Sequence, residues 1–454
     1  MSQREFDVIV IGAGPAGEVV AGRLGDHGLK VAIVERHLVG GECSFYACMP
    51  SKSLLRPGEA LDEARRLPGA AEAITGELDV QAVLTRRDEV IHNLDDSSQI
   101  PWLEDRGVEV VRGAARITGE RTVAVDDDAL VASRAVVVAT GSDALIPPID
   151  GLREASPWTN REATTTHTVP ERLLILGGGV VGVEMAQAFA SFRSTVTLVE
   201  GGDRILPREE PFASQQVHES LEQRGVTVIT GAKATAVRRN GDVTMELEGH
   251  GPVSGDEILV AVGRSVNTRD IGLENVGLEP GERVEVRDSM QSTTHDWLYA
   301  IGDVNGRVLL THMGKYQGRL AADHIAGKPV ELRSDGAQSP RVIFTDPQVA
   351  AVGHTEASAR EAGMNIRVVE VGSGANAGGS FYGRNAPGTA RIVVDEDRRM
   401  IAGATFTGPD IGDFIHAATI AIIGEVPLER LWHAVPSFPT RSELWLRLLE
   451  KYGL

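Results

Sequence analysis

Cys43 and Cys48, inside the stretch GGECSFYACMPSK at residues 40–52, are the only two cysteines of the 454-residue chain. A pair at this spacing suits a reversible disulfide, and it also suits two inert core thiols. In an undistorted helix the Cα atoms of i and i+5 lie roughly 8 Å apart, and a bridge needs less than about 7 Å. Only a bent turn would bring the sulfurs together. Other residues of chemical interest lie elsewhere. Glu184 stands in an otherwise apolar helical stretch, where it is either an anion placed favourably near a helix N-terminus or the buried partner of a cation such as Lys52. Asp303, in YAIGDVNG, leaves a buried strand and either binds a ligand hydroxyl or caps the strand. The segment LLTHMGKYQG starts a helix near Thr311, whose free amides suit an electron-rich ring oxygen. His312 at that start is a participant or an ordinary, partly buried histidine.

Two elements of one kind must position these groups. FDVIVIGAGPAGEVVAGRLGDHGLKVAIVE reads strand, tight turn, helix, strand, with Gly12, Gly14 and Gly17 in the G-x-G-x-x-G pattern and Glu35 at the end of the second strand. The first glycine turns the chain, the second leaves room for a pyrophosphate, and the third permits close helix–strand contact. The carboxylate suits ribose hydroxyls. The arrangement recurs in ERLLILGGGVVGVEMAQAFASFRSTVTLVE, where Gly177, Gly179, Gly182 and Glu200 each lie 165 positions beyond their counterparts. Two dinucleotide sites in one chain are most simply a flavin site fed by a nicotinamide. Glu200 favours NADH over NADPH, because a carboxylate accepts a 2′-hydroxyl and repels a 2′-phosphate; Gly201 and Gly202 add no cation, although Arg204 is near.

Composition limits the remaining classes. Two cysteines cannot form the bridge network of a small secreted domain, and no export signal or charge-free run of about 20 residues is visible, so a cytoplasmic protein without a membrane span is expected. A net charge of −19 disfavours nucleic acid and anionic membranes as partners. No metal-ligand set is expected.

The ordered motifs resemble the flavin-dependent pyridine nucleotide-disulfide oxidoreductases, the family that includes dihydrolipoamide dehydrogenase, glutathione reductase and mercuric reductase. They are the two glycine fingerprints, GGECSFYACMPSK, ATGS at 139–142, AVGRSVN at 261–267, YAIGDV at 299–304 and FTDPQVAAVG at 344–353. The resemblance implies an α/β fold with two Rossmann-like domains, for FAD and NAD(P), and a C-terminal α+β dimerisation domain. The corresponding boundaries are 1–150 and 265–335 for the FAD domain and its return segment, 151–264 for NAD(P), and 336–454 for a homodimer interface. It also implies that Cys43 and Cys48 form a redox disulfide, with Cys48 facing the flavin and Cys43 the acceptor, that Lys52 and Glu184 pair beside the flavin, and that Asp303 binds its ribityl chain. Thr140, Gly141, Gly263, Thr311 and His312 are expected in the cofactor sites. Electrons would pass from NADH through FAD to the cysteines and on to a disulfide, or from the flavin to a quinone, metal or dioxygen.

Three departures bear on the acceptor. Disulfide-reducing members end in a stretch like HPTxSE, whose histidine and glutamate serve the other subunit's thiol; here it reads FPTRSE, with Phe438 in the histidine place and Glu443 retained. A phenyl ring carries no proton, so an acid–base contribution of about 10² to 10⁴ is expected to be missing unless another group stands in, His433 being either that stand-in or a surface or interface histidine. His433 is the only histidine near in sequence, and Glu443 is expected to pair with Arg447 or Arg441. Glu42, beside Cys43, would raise that thiol's pKa if close. The chain lacks the extra C-terminal cysteine pair of mercuric reductase and the large thioredoxin reductases, which argues against both identities. Arg56, Arg161 and Arg441 are the candidate cations of the acceptor mouth.

Overall fold

In the computed structural model, which describes residues 3–374, 376–383, 386 and 388–454, the chain divides into two units. The first comprises Met1–Pro50, Arg87–Leu145 and Gly263–Gly336. Its sheet is built on the strand Gln3–Ile11, whose second half, Val8 to Ile11, is a continuous apolar run buried on both faces as parallel strands require. To one side lie Val31–Glu35 and Val108–Arg112, both parallel. On the other side Asp128–Val138 is parallel, and it in turn pairs with Leu298–Ala300 in parallel and with Thr122–Val125 in antiparallel fashion; Ala115–Gly119 follows at the edge. The helices Pro15–Asp26 and Thr311–Ile325 pack on this sheet and on each other.

The second unit comprises Ser51–Arg86, Ile146–Val262 and Ala337–Leu454. A parallel sheet in the order Thr227–Ile229, Thr195–Val199, Arg172–Leu176, Glu257–Val260 repeats the first unit's nucleotide half. The helix Val180–Ser191 begins and ends 165 positions after Pro15–Asp26. A small antiparallel sheet (234–255) adjoins it. The five-stranded antiparallel sheet between 341 and 408 carries the helix Ile411–Ile423 and the last helix, Glu443–Tyr452, whose Leu444, Leu448 and Leu449 are buried.

Residues 51–86 differ from the expectation that placed them in the first domain. Leu54, Leu55, Val83 and Leu84 enter the same apolar cluster as Val183 and Phe189, so burial against the second nucleotide sheet assigns this helical stretch to the second unit. No helix among the described residues is long and apolar enough to cross a membrane.

Candidate active site

The helix that would separate Cys43 and Cys48 is interrupted. Gly41–Phe45 forms one short helix, Tyr46 leaves helical backbone at φ −132°, and a new helix, Cys48–Arg66, starts at the second cysteine. The break brings the two side chains into hydrogen-bonding contact, both as thiols. Phe45 is fully buried, so this aromatic fills the core, and both thiols are half-buried. The Thr311 hydroxyl lies 3.4 Å from Cys48 Sγ and also bonds Cys43. Contact with Cys48, together with burial, pushes the Cys43 thiol up; Thr311 and the positive charge of Lys315 act in the opposite sense. Glu42 lies 3.8 Å from Arg264, so its charge has a partner.

The first fingerprint has the geometry its glycines imply. Gly12 has a φ of +101° and Gly17 packs so closely that an added Cβ would collide with the Gly12 carbonyl. Above Gly14, the cap of the helix, a Cβ would meet nothing nearer than Gly41 Cα at 4.0 Å, which leaves the helix N-terminus open for a pyrophosphate. Glu35 is held at the strand end by the amides of Ala13 and His37, each at 2.7 Å. Thr140 Oγ1 donates to the Asn267 carbonyl at 2.7 Å, which ties the ATGS turn to the segment that starts at Gly263. Ser142 donates to Asp303, and Arg264 donates to Ser142 at 2.7 Å, so the Asp303 carboxylate is fixed at the exit of its strand. His312 is exposed at the start of its helix.

The second unit repeats this geometry at the expected offset. Gly177 has φ +112°, Gly182 is pressed against the Gly177 carbonyl, and the space above Gly179 is open to 4.0 Å. Glu200 accepts from the amides of Gly178 and Gly202, each at 2.7 Å, the counterparts of Ala13 and His37. Arg204 is turned away, its guanidinium donating to the carbonyls of Leu206, Pro207 and Glu209. Glu184, 2% exposed, meets Lys52 at 2.8 Å and accepts from the Phe344 amide at 2.9 Å, while Lys52 Nζ also lies 4.8 Å from the centre of the Phe344 ring. Phe344 is a partner that the sequence patterns did not single out.

At the other end of this unit, Phe438 is 75% exposed and His433 is exposed as well. Glu443 is 7% exposed, and one of its carboxylate oxygens is buried without a hydrogen-bond partner. The expected pairing with Arg447 does not form, because Glu443 points into the core at the first turn while Arg447, on the solvent side, reaches Glu450 at 2.9 Å. Arg441 instead lies over the Tyr382 ring, 4.6 Å from its centre, and Arg56 pairs with Glu59 and Glu63.

The family model described as "Pyridine nucleotide-disulphide oxidoreductase" matches residues 6–318, and its dimerisation-domain model matches 339–448. The chain belongs to this family. Membership implies FAD and NAD(P)H as cofactors and carries the family's general disulfide-oxidoreductase activity. A dihydrolipoyl dehydrogenase of Thermus scotoductus is 34% identical over 97% of this chain and 96% of that protein. A mercuric reductase of Staphylococcus aureus is 30% identical over 97% of the chain and 81% of that protein. Among solved structures, the HOCl-induced flavoprotein disulfide reductase RclA of Escherichia coli superposes with a TM-score of 0.86 at 25% identity, covering 98% of this chain and 99% of that one, both without and with Cu(II). The open space above Gly14 and Gly179 and the anchored carboxylates Glu35 and Glu200 fit two dinucleotides.

Proposed function

We propose that the protein passes two electrons from NADH, by way of FAD, to the Cys43–Cys48 pair, and from Cys43 to an external disulfide or small oxidant. Bound FAD supplies the relay between a hydride donor and a sulfur acceptor. The single observation that carries the reading is the contact between the two thiols across the break at Tyr46, with Thr311 bonded to both. Such a pair closes to a disulfide with the loss of two protons and two electrons, and the reverse step takes both back. Thr311 holds Cys48 in place. Cys43, half-buried, is the thiol left to meet an acceptor.

NADH is the proposed donor because Glu200 is anchored where a 2′-phosphate would sit and Arg204 is occupied by three carbonyls. The acceptor reading has a competitor with its own support. Phe438 offers no proton and Glu443 has no histidine to hold, which favours electron delivery from the flavin straight to a quinone, metal ion or dioxygen.

One experiment separates these. The purified holoprotein is alkylated before and after anaerobic NADH, and then turned over with lipoamide, low-molecular-weight disulfides, quinones, Cu(II) and dioxygen under NADH or NADPH. Two new alkylated cysteines after NADH, with acceptor turnover lost in Cys43→Ser, are the expected results. Turnover that survives Cys43→Ser refutes the thiol route and leaves flavin-only transfer.

A further inference from the structure

Glu42 follows Gly41, and Gly41 backs onto the first fingerprint: a Cβ at Gly41 would lie 2.7 Å from Gly14 Cα. The short helix Gly41–Phe45 therefore starts at the open mouth above Gly14, where an anionic pyrophosphate fits. A carboxylate carried next to that mouth repels such a ligand unless a cation compensates it. A second carboxylate, Asp303, stands just past the strand Leu298–Ala300.

One guanidinium serves both. Arg264 lies 3.8 Å from Glu42 and 3.8 Å from Asp303, and the three side chains are only 21–24% exposed. Between Arg264 and Asp303 stands Ser142, which is buried. Arg264 Nε donates to Ser142 Oγ at 2.7 Å, and a second guanidinium nitrogen donates to the Ser142 carbonyl. A guanidinium only donates, so the single hydroxyl proton is directed to Asp303. Ser142 is thus a fixed dipole that carries the pull of Arg264 to the carboxylate. The strand Arg264–Val266 pairs antiparallel with Ser142–Ala144, which holds guanidinium and hydroxyl in register.

We infer that Arg264 is a positioning residue of the flavin site, which neutralises Glu42 at the pyrophosphate mouth and, through Ser142, fixes Asp303 for the ribityl hydroxyls. The inference rests on the reading of Asp303 as the carboxylate that binds the ribityl chain. Two carboxylates share one positive charge in this arrangement. Loss of the guanidinium leaves both of them uncompensated beside a negatively charged cofactor. Loss of the Glu42 charge removes a repulsion and leaves Arg264 wholly to Asp303.

The test reads flavin affinity and not turnover. Holoprotein saturated with FAD during purification is diluted in steps, and released flavin is followed by its fluorescence. The proteins compared are the wild type, Arg264→Met, Glu42→Gln, the double variant and Asp303→Asn, with circular dichroism in excess FAD as the check on folding. Arg264→Met is expected to weaken FAD about ten- to hundredfold, as breaking a partly buried ion pair does. Glu42→Gln binds FAD at least as tightly as the wild type, and in the Arg264→Met background it recovers about tenfold. A side chain that merely filled space would not be repaired by removing a carboxylate. Wild-type affinity in Arg264→Met, or no recovery in the double variant, overturns the inference. Weaker binding by Glu42→Gln alone overturns it too, and that result needs no folded Arg264→Met. Asp303→Asn should weaken FAD by itself. Unchanged affinity there would refute the ribityl reading, while the recovery in the double variant still decides whether Arg264 compensates Glu42.

Discussion

Replacing Glu18 by glutamine should stabilise the protein, and only above a definite pH. Burial pushes the Glu18 carboxyl up from its ordinary 4.5 to about 7, Glu35 adding to the effect and Lys315 opposing it. The folded state therefore holds a proton that the unfolded chain releases between these two values. Stability from this group is complete below about pH 4.5, falls as pH rises toward 7, and is level beyond it. At 1.36 kcal/mol per pH unit the whole loss is about 3 kcal/mol, an upper bound because Glu18 keeps some contact with water that screens its charge. Glutamine has the same shape and no such loss. For a domain of 150–250 residues, 1 kcal/mol moves the unfolding midpoint by about 2–4 °C, so Glu18→Gln should gain several degrees at pH 8.5 and close to none at pH 5. The assay is thermal unfolding of the holoprotein at a fixed scan rate, wild type beside variant, across that range. A difference between the two proteins that is the same at both pH values, or a wild type that is the more stable at pH 8.5, would show that no buried proton is held at residue 18.

Three further outcomes follow from the geometry. Lys52→Met leaves the Glu184 carboxylate buried with the Phe344 amide and should cost about 3–5 kcal/mol, whereas Glu184→Gln leaves a lysine that is 34% exposed and still hydrated and should cost less; denaturant midpoints in the reverse order would contradict this account of the pair. Gly17→Ala should yield a protein that retains no flavin, while Gly182→Ala should keep its yellow colour and lose saturation by NADH, since each Cβ strikes the carbonyl of its own turn. Equal loss of both cofactors in either variant would argue that the two turns are not independent. Phe438→His should increase dihydrolipoamide oxidation, by up to about 10²-fold, and add a histidine ionisation to the pH profile, because an imidazole at this exposed position carries the proton that a phenyl ring cannot. An unchanged rate would place the barrier in acceptor recognition.

The paired fingerprints were fully legible in the chain. Gly12, Gly14, Gly17 and Glu35 and their counterparts 165 residues on obey a local rule, because a tight turn between a strand and a helix fixes where glycine is needed whatever surrounds it, and even the amides that hold Glu35 and Glu200 keep the offset. The thiol pair was only half legible. Spacing alone left the sulfurs out of bridging range on an undistorted helix, and the break at Tyr46 that brings them together follows Phe45, which is buried in the core. Glu184 likewise carried two readings, and the choice of Lys52 was made by burial, which leaves a carboxylate no solvent to turn to.

What the tertiary structure alone decided are matters of long-range packing. Glu443 turned inward, out of reach of Arg447, because its helix buries Leu444, Leu448 and Leu449. Residues 51–86 joined the second unit, because their leucines and valine found the sheet that carries Val183 and Phe189. The helices Pro15–Asp26 and Thr311–Ile325 came together almost backbone to backbone, where Gly314 and Gly318 face Ala16. Short-range rules of turn and cap are written residue by residue, whereas the partner of a buried charge is chosen by whichever distant segment excludes water from it.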